Sequence, residues 1–213
     1  MDKRQTILIV DDAEFNRDIL KEILGETYHY LEAENGNQAI QLVGDNLGID
    51  LILLDIHMPQ MDGFEVLSVM NQRRWIENIP VIMISSEDSL TIVRKAYEWG
   101  VSDYISRPFD AQVVYRRVSN TIRLYAKQRH LIAMLMEQMH EKEKNNRMMI
   151  SILSQIVEFR NGESGLHVSR VNALVKMLLE RLRQVTDQYN ISWVKQDLIV
   201  MASSLHDIGK IGI

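Results

Sequence analysis

Short apolar runs alternate with amphipathic stretches through the first half of the chain, and the runs close on polar residues. Ile7–Val10 is followed by Asp11, and Leu51–Leu54 is followed by Asp55. Runs of this kind are typical of strands that are buried on both faces of a parallel sheet. The pattern predicts strands at residues 6–10, 28–32, 50–54, 80–84 and 102–106.

The stretches between these strands have helical periodicity. They predict helices at residues 14–24, 36–47, 63–74 and 89–99. Alternating strands and helices indicate βα units with right-handed crossovers. We therefore predict an α/β fold for residues 1–110, a flavodoxin-like, doubly wound sheet of five parallel strands.

Residues 111–160 carry a different pattern, because this stretch contains neither proline nor glycine. Its apolar residues follow a heptad, which predicts a long helix that pairs with a second copy as a coiled coil. The alternative is a helix broken within the polar segment 141–146. The heptad positions are Val118, Ile122, Tyr125, Arg129, Ile132, Met136, Met139, Glu143, Asn146, Ile150, Leu153 and Val157.

A separate helical part follows residue 160. The pattern predicts helices at residues 166–186 and 195–206. The expected organisation is an α/β domain at 1–110, a linking coiled-coil helix at 111–160 and a partial all-α domain at 161–213.

Composition narrows the possible functions. The net charge of −5 gives no electrostatic footprint for nucleic acid, and no apolar run is long enough to predict a membrane span. The chain has no cysteine, which excludes disulfides and thiol catalysis. Its N-terminus leads directly into a strand, so we expect no signal peptide and a cytoplasmic protein.

Candidate chemistry lies at the strand ends, because open α/β sheets bind ligands at the carboxyl edge of the sheet. Carboxylates there would hold a divalent cation such as Mg²⁺, which prefers oxygen ligands. A carboxylate can also act as a nucleophile. The alternative is structural: Asp11 and Asp12 would cap the next helix, and Asp55 and Ser85 would be ordinary turn residues.

Several of these residues together resemble the receiver domain of two-component response regulators, over about residues 1–125. The matching segments are Asp11-Asp12, Asp55 with Met58-Pro59 and Asp62-Gly63, Ser85, Tyr104, and Arg107-Pro108-Phe109. The resemblance implies that Asp55 accepts a phosphoryl group from a sensor histidine kinase. It also implies Mg²⁺ held by Asp11, Asp12, Asp55 and the backbone of His57, with Ser85, Tyr104 and Arg107 as switch or phosphate-contacting residues.

One position departs from the receiver pattern, since the family has lysine where this chain has Arg107. Arginine is a planar fork that prefers bidentate contacts, whereas lysine is a compact point charge. The substitution leaves open whether the receiver signals through phosphate. We also expect Arg107-Pro108 to be a cis peptide, as X-Pro bonds in such turns can be.

The C-terminal part resembles the HD-GYP phosphohydrolases, a family that hydrolyses cyclic di-GMP at a centre of two or three metal ions. The resemblance implies an incomplete metal site, for Fe or Mn, and a phosphate contact from a lysine. The family draws further ligands and its GYP signature from sequence beyond residue 213, so we expect residues 161–213 alone to be inactive. The implied ligands are Glu163, His167, His206 and Asp207, and the lysine is Lys210.

The leading interpretation is a cytoplasmic, homodimeric response regulator that controls a cyclic di-GMP phosphodiesterase output. It binds neither nucleic acid nor membrane. One alternative is that the chain is a fragment of a complete phosphodiesterase. Two others are a non-enzymatic adaptor with a vestigial output segment, and a phosphate-independent scaffold.

Overall fold

The computed structural model describes residues 4–45, 48–86, 89–160, 166–186, 188–189, 191–206 and 208–209. Its centre is a sheet of five parallel strands in the order β2-β1-β3-β4-β5. The doubly wound α/β prediction is confirmed. The strands are β1 (Thr6–Val10), β2 (His29–Ala33), β3 (Ile49–Asp55), β4 (Val81–Ser85) and β5 (Asp103–Ser106).

Seven α-helices accompany these strands in the described part of the chain. They are α1 (Glu14–Leu24), α2 (Gly36–Gly44), α3 (Gly63–Gln72), α4 (Leu90–Glu98), α5 (Ala111–Arg160), α6 (His167–Val185) and α7 (Trp193–Ser203). Short 3₁₀ turns lie at Gly25–Thr27 and Trp75–Glu77.

Every predicted strand and helix is present, and several have shifted ends, whereas β1 and α1 have the predicted bounds. Helix α2 ends at Gly44 rather than residue 47, and α7 spans Trp193–Ser203 rather than 195–206. Strands β3 and β4 extend onto their closing polar residues, because Asp55 is paired with Ile84 and Ser85 with Ser106. The predicted strands ended one residue too early at both positions.

Two hydrophobic layers enclose the sheet. Helices α2, α3 and α4 cover one face, where Val66, Leu67 and Ala96 are buried. Helices α1 and α5 cover the other face, where Leu20 and Val118 are buried. Strand side chains alternate between the layers, which explains why the central strands are apolar at nearly every position.

The chain divides into two compact units, residues 1–131 and 132–213, and the division falls within α5. Helix α5 is continuous from Ala111 to Arg160. It therefore passes without interruption through residues 141–146, where the sequence left a break open. In the first unit its residues Val114, Val118 and Ile122 are buried against the sheet.

The second unit combines the C-terminal part of α5 with α6 and α7. Ser154, Val157 and Glu158 of α5 are buried there. The Ser154 hydroxyl lies 2.7 Å from the carbonyl oxygen of Ser204. The Asn172 amide donates to the Ser204 hydroxyl at 2.8 Å. These polar contacts hold the three helices of the unit together.

The predicted pairing seam along α5 is interrupted at both ends. Val118 and Ile122 lie in the core of the first unit, and Val157 is buried in the second. These three positions cannot face a second copy, so the heptad prediction is wrong for them. The seam residues Ile132, Met136 and Met139 are exposed, by 45%, 67% and 72%. Among the described residues, no helix combines the length and apolarity that crossing a membrane requires.

Candidate functional site

Three carboxylates lie together at the carboxyl edge of the sheet. Asp11 directly follows β1, Asp12 is next to it, and Asp55 is the last residue of the neighbouring strand β3. Each offers a ligand oxygen, and these oxygens all lie within 4.8 Å of one another. Asp11 and Asp55 are buried, whereas Asp12 is exposed. The site is therefore open to solvent on the Asp12 side.

Local hydrogen bonds orient Asp11. Its Oδ1 accepts the backbone N–H of Ala13 at 2.9 Å and the side-chain amide of Asn16 at 3.0 Å. The buried guanidinium of Arg17 donates to the Asp11 carbonyl oxygen at 2.8 Å. The N-cap residue of α1 is Ala13, without a side-chain cap. Neither Asp11 nor Asp12 is thus the N-cap residue, although Asp11 accepts the N–H of the N-cap residue Ala13.

Asp55 is only 3% exposed. Burial raises the pKa of its carboxyl to about 6. The guanidinium of Arg107 and the imidazole of His57 lower this pKa, whereas the carboxylates of Asp11 and Asp12 raise it. Burial disfavours the charged form of a carboxyl, and neighbouring carboxylates act in the same direction. At neutral pH the group is mostly ionised, as a carboxylate nucleophile must be.

Position 63, which lies against the backbone of Asp55, requires a glycine. A Cβ on Gly63 would come within 2.5 Å of the Asp55 carbonyl oxygen. The Gly63 N–H donates to the Ile56 carbonyl at 2.9 Å, which draws the start of α3 against the end of β3. Asp62 and Glu65 fix this helix start with a reciprocal capping box.

Arg107 places its positively charged guanidinium beside Asp11 and Asp55. Its Nη2 donates to Oδ2 of Asp11 and lies 3.1 Å from Oδ1 of Asp55. The guanidinium also lies 5.6 Å from the centre of the Phe109 ring. The peptide bond between Arg107 and Pro108 is cis, as the sequence predicts.

The remaining receiver positions occupy the same edge or the layer below it. Ser85 ends β4 and is fully buried. Tyr104 is 7% exposed and packs in the hydrophobic layer formed with α2, α3 and α4. His57 follows β3 and its side chain is exposed; the backbone role given to it stays a prediction.

Only part of the second candidate site lies within the residues that the structure describes. Nε2 of His167 and Nε2 of His206 lie 3.4 Å apart within the second unit. Nδ1 of His206 is 2.8 Å from the carbonyl oxygen of Ser203. Glu163, Asp207 and Lys210 lie outside the described residues. The structure thus brings together two of the predicted ligands.

Sequence reasoning missed the residues that support the site. Arg17 is one of them, although a signal exists: it stands at helical spacing from Leu20 and Leu24, and all three are buried on one face of α1. Asn16 carries a weaker signal, because an asparagine near the start of a helix is common.

The parallel sheet, its two helical layers and the acidic edge define a receiver domain. Residues 7–119 match the response regulator receiver domain model, which covers more than half of the chain. This chain belongs to the response regulator receiver family.

Relatives extend the similarity beyond the receiver. A probable cyclic di-GMP phosphodiesterase of Vibrio cholerae is 31% identical over 98% of this chain and 49% of its own length. The cyclic di-GMP phosphodiesterase response regulator RpfG of Xanthomonas campestris pv. campestris is 30% identical over 97% of this chain and 55% of its own. This chain thus spans about half the length of these relatives, and the segment after its receiver is similar to theirs.

Solved structures match the receiver. The signal receiver domain of an HD domain-containing protein from Pseudomonas fluorescens Pf-5 has a TM-score of 0.55 and is 26% identical. The match covers 61% of this chain and 95% of that structure. The similarity therefore extends over nearly the whole of that receiver domain.

Proposed function

We propose that the receiver accepts a phosphoryl group on Asp55 from a sensor histidine kinase. The observation that carries this proposal is the cluster of three carboxylate oxygens, all within 4.8 Å of one another, that includes the buried Asp55. All the side-chain donors are oxygens, the ligand set that suits Mg²⁺. Asp11, Asp12 and Asp55 would hold this ion together with the backbone carbonyl of His57.

The proposed chemistry is displacement at phosphorus. A carboxylate oxygen of Asp55 forms the new O–P bond while the P–N bond of the kinase phosphohistidine breaks, and the bonding pair leaves with the imidazole. A bound divalent cation supplies positive charge that lets two anions approach each other. Ser85 donates its hydroxyl to a phosphoryl oxygen, and Arg107 neutralises the added charge. Tyr104 is the aromatic switch residue, and the packing of its ring changes when Asp55 is phosphorylated.

Acetyl phosphate tests the phosphoacceptor directly. With Mg²⁺, the protein should gain the mass of one phosphoryl group, and the D55N variant should gain none. The neighbouring serines give a matched pair, since Ser85 is buried and Ser86 is exposed. S85A should slow the reaction, and S86A should not. Absence of the adduct, or an adduct in D55N, would contradict the proposal.

The output we propose is an HD-GYP-type cyclic di-GMP phosphodiesterase, of which residues 161–213 form part. Alignment with two cyclic di-GMP phosphodiesterases along nearly the whole chain supports it. The His167–His206 geometry supports it too. The two Nε2 atoms lie 3.4 Å apart, and two imidazoles this close could both bind one first-row metal ion.

Metal binding and hydrolysis test the output separately. The purified chain is loaded with Mn²⁺ or Fe²⁺, and its bound metal and its turnover of cyclic di-GMP are measured. H167A and H206A should lower the bound metal, whereas H140A, at an exposed position of α5, should not. We expect no turnover from this chain alone. Turnover by the wild type would show that residues 161–213 contain a sufficient site.

We further propose that α5 pairs two copies of the chain. The support is the exposed apolar surface at Ile132, Met136 and Met139, on a helix that runs unbroken through this region. The double variant M136E/M139E should be monomeric by light scattering, and Q138E, which adds charge at an exposed neighbour, should remain dimeric. A wild type that is monomeric at micromolar concentrations would exclude pairing.

A second candidate function is a phosphate-independent scaffold. The contacts of Arg107 with both Asp11 and Asp55 favour it, because the cluster already has a positive partner within the chain. In that case Asp55 would not be phosphorylated by acetyl phosphate, while pairing through α5 would remain.

A further inference from the structure

Arg17 is a buried cation of helix α1 that contacts the loop carrying two of the three clustered carboxylates. Its side chain is only 8% exposed. Its Nη1 donates to the carbonyl oxygen of Asp11 at 2.8 Å, and Asp11 and Asp12 lie in the connection between β1 and α1. Burying a charged guanidinium costs free energy unless its charge and its donors are paired. The partners of Arg17 therefore show what the arginine is held for.

The other nitrogens of this guanidinium face carboxylates at the end of strand β2. Nε donates to Oε2 of Glu32 at 2.8 Å, and Nη2 lies 3.9 Å from Oε1 of Glu34. The second oxygen of Glu32 accepts Nζ of Lys21 at 2.8 Å. Hydrogen bonds from Lys21 and Arg17 lower the pKa of the Glu32 carboxyl, so this anchor is ionised at neutral pH. Arg17 thus ties the end of β1 to β2.

The backbone of Asp11 is held on both of its peptide groups. Its N–H donates to the carbonyl oxygen of Ala33 at 3.1 Å, and its carbonyl accepts Nη1 of Arg17. That carbonyl belongs to the planar peptide that joins Asp11 to Asp12, so its direction fixes where the Asp12 backbone lies. Asp12 is exposed, and packing therefore constrains its carboxylate little. The position of this candidate ligand depends on the backbone that Arg17 holds.

We propose that Arg17 is a positioning residue for the divalent cation. While anchored on Glu32, it binds the Asp11 carbonyl and so keeps Asp11 and Asp12 where both carboxylates reach one ion. The inference rests on the proposed phosphoacceptor function and adds a residue that touches neither the ion nor the phosphoryl group. A lysine at position 17 would carry one nitrogen where Arg17 uses separate nitrogens for the carbonyl and the carboxylate, and it could not hold both.

The charge of Arg17 and its positioning role predict opposite effects on cation affinity. A positive charge near the site repels a divalent cation, so loss of the charge alone would tighten Mg²⁺ binding. Loss of a group that orients metal ligands weakens binding instead, typically by about 10- to 100-fold. The direction of the change therefore separates the two roles.

Mg²⁺ titration of the whole chain, followed by the backbone amide resonances of residues 11–13, measures this direction. R17M keeps an unbranched side chain, and its Mg²⁺ dissociation constant should rise about tenfold; R17K should not restore the wild-type value. The matched control is K21M, which removes an equal charge from the same helix and the same Glu32 partner. It should change the constant less than twofold. Unchanged or tighter binding in R17M, or equal weakening in K21M, would overturn the proposal.

A second pair of variants leaves the buried arginine in place, so the test does not depend on how R17M folds. E32Q weakens the anchor of Arg17, whereas E34Q removes the same charge from a carboxylate that lies 3.9 Å from the guanidinium. E32Q should raise the Mg²⁺ dissociation constant at least threefold more than E34Q does. Equal effects would reduce Glu32 to a general charge and overturn the positioning role.

Hydrogen exchange without Mg²⁺ supplies a measurement that involves no ligand. The Ala13 amide, which donates to Oδ1 of Asp11, should exchange faster in E32Q than in the wild type, while the amide of Leu53 in β3 should not. Equal acceleration at both amides would indicate general destabilisation and overturn the proposal. If the variants behave as expected but acetyl phosphate leaves Asp55 unmodified, the proposed function fails and the positioning role stands. A wild type that binds no Mg²⁺ would overturn both.

Discussion

The charge on Asp55 should destabilise the folded receiver when no cation is bound. The carboxyl has a pKa of about 6 in the folded protein, against an ordinary value of 3.8. One pKa unit corresponds to about 1.4 kcal/mol, so ionised Asp55 costs about 3 kcal/mol of folding free energy at neutral pH. D55N, which keeps the shape and removes the charge, should be more stable by up to that amount.

The pH dependence has a definite sign. Because the pKa is raised on folding, the folded protein binds more protons than the unfolded chain between about pH 4 and pH 6. Stability from this group is present below pH 4 and is lost as the pH rises through 6. The advantage of D55N should therefore be absent at pH 4, grow across this window and level off above pH 7.

Urea unfolding in the presence of a chelator measures the difference. The fluorescence of Trp75 and Trp99 reports on the first unit, and W193F removes the tryptophan of the second. D45N, at an exposed position, should change stability by less than about 0.5 kcal/mol. A D55N variant that is no more stable than the wild type at pH 7.5 would refute the reasoning.

Two further predictions concern contacts that stabilise the first and the second unit. G63A should destabilise the first unit by about 2 kcal/mol and slow phosphorylation, because the added methyl would lie 2.5 Å from the Asp55 carbonyl oxygen. Urea unfolding measures the change in stability, and the acetyl phosphate reaction measures the change in rate. Unchanged stability would contradict the contact. S154A should destabilise the second unit by about 1 kcal/mol, because it removes the hydroxyl that lies 2.7 Å from the Ser204 carbonyl. Hydrogen exchange of α7 measures this change, and equal exchange in both proteins would count against it.

The sequence by itself determined the sheet and the place of its functional edge. Buried parallel strands are apolar at consecutive positions, so Leu51–Leu54 is visible as a strand without any knowledge of its neighbours. The carboxyl ends of such strands share one edge, which places Asp11 near Asp55 once the alternation of strands and helices is recognised. The long helix α5 was visible as well, because helical periodicity is local, although the sequence left a break within residues 141–146 open.

Only the tertiary structure decided which partners these side chains take. Arg107 meets Asp11 across 96 positions, and Gly63 is needed because the Asp55 carbonyl passes beside it. The heptad of α5 could not reveal that Val118 packs on the sheet while Met136 stays exposed. A periodic pattern shows which face of a helix is apolar, but the surface that covers this face comes from distant parts of the fold.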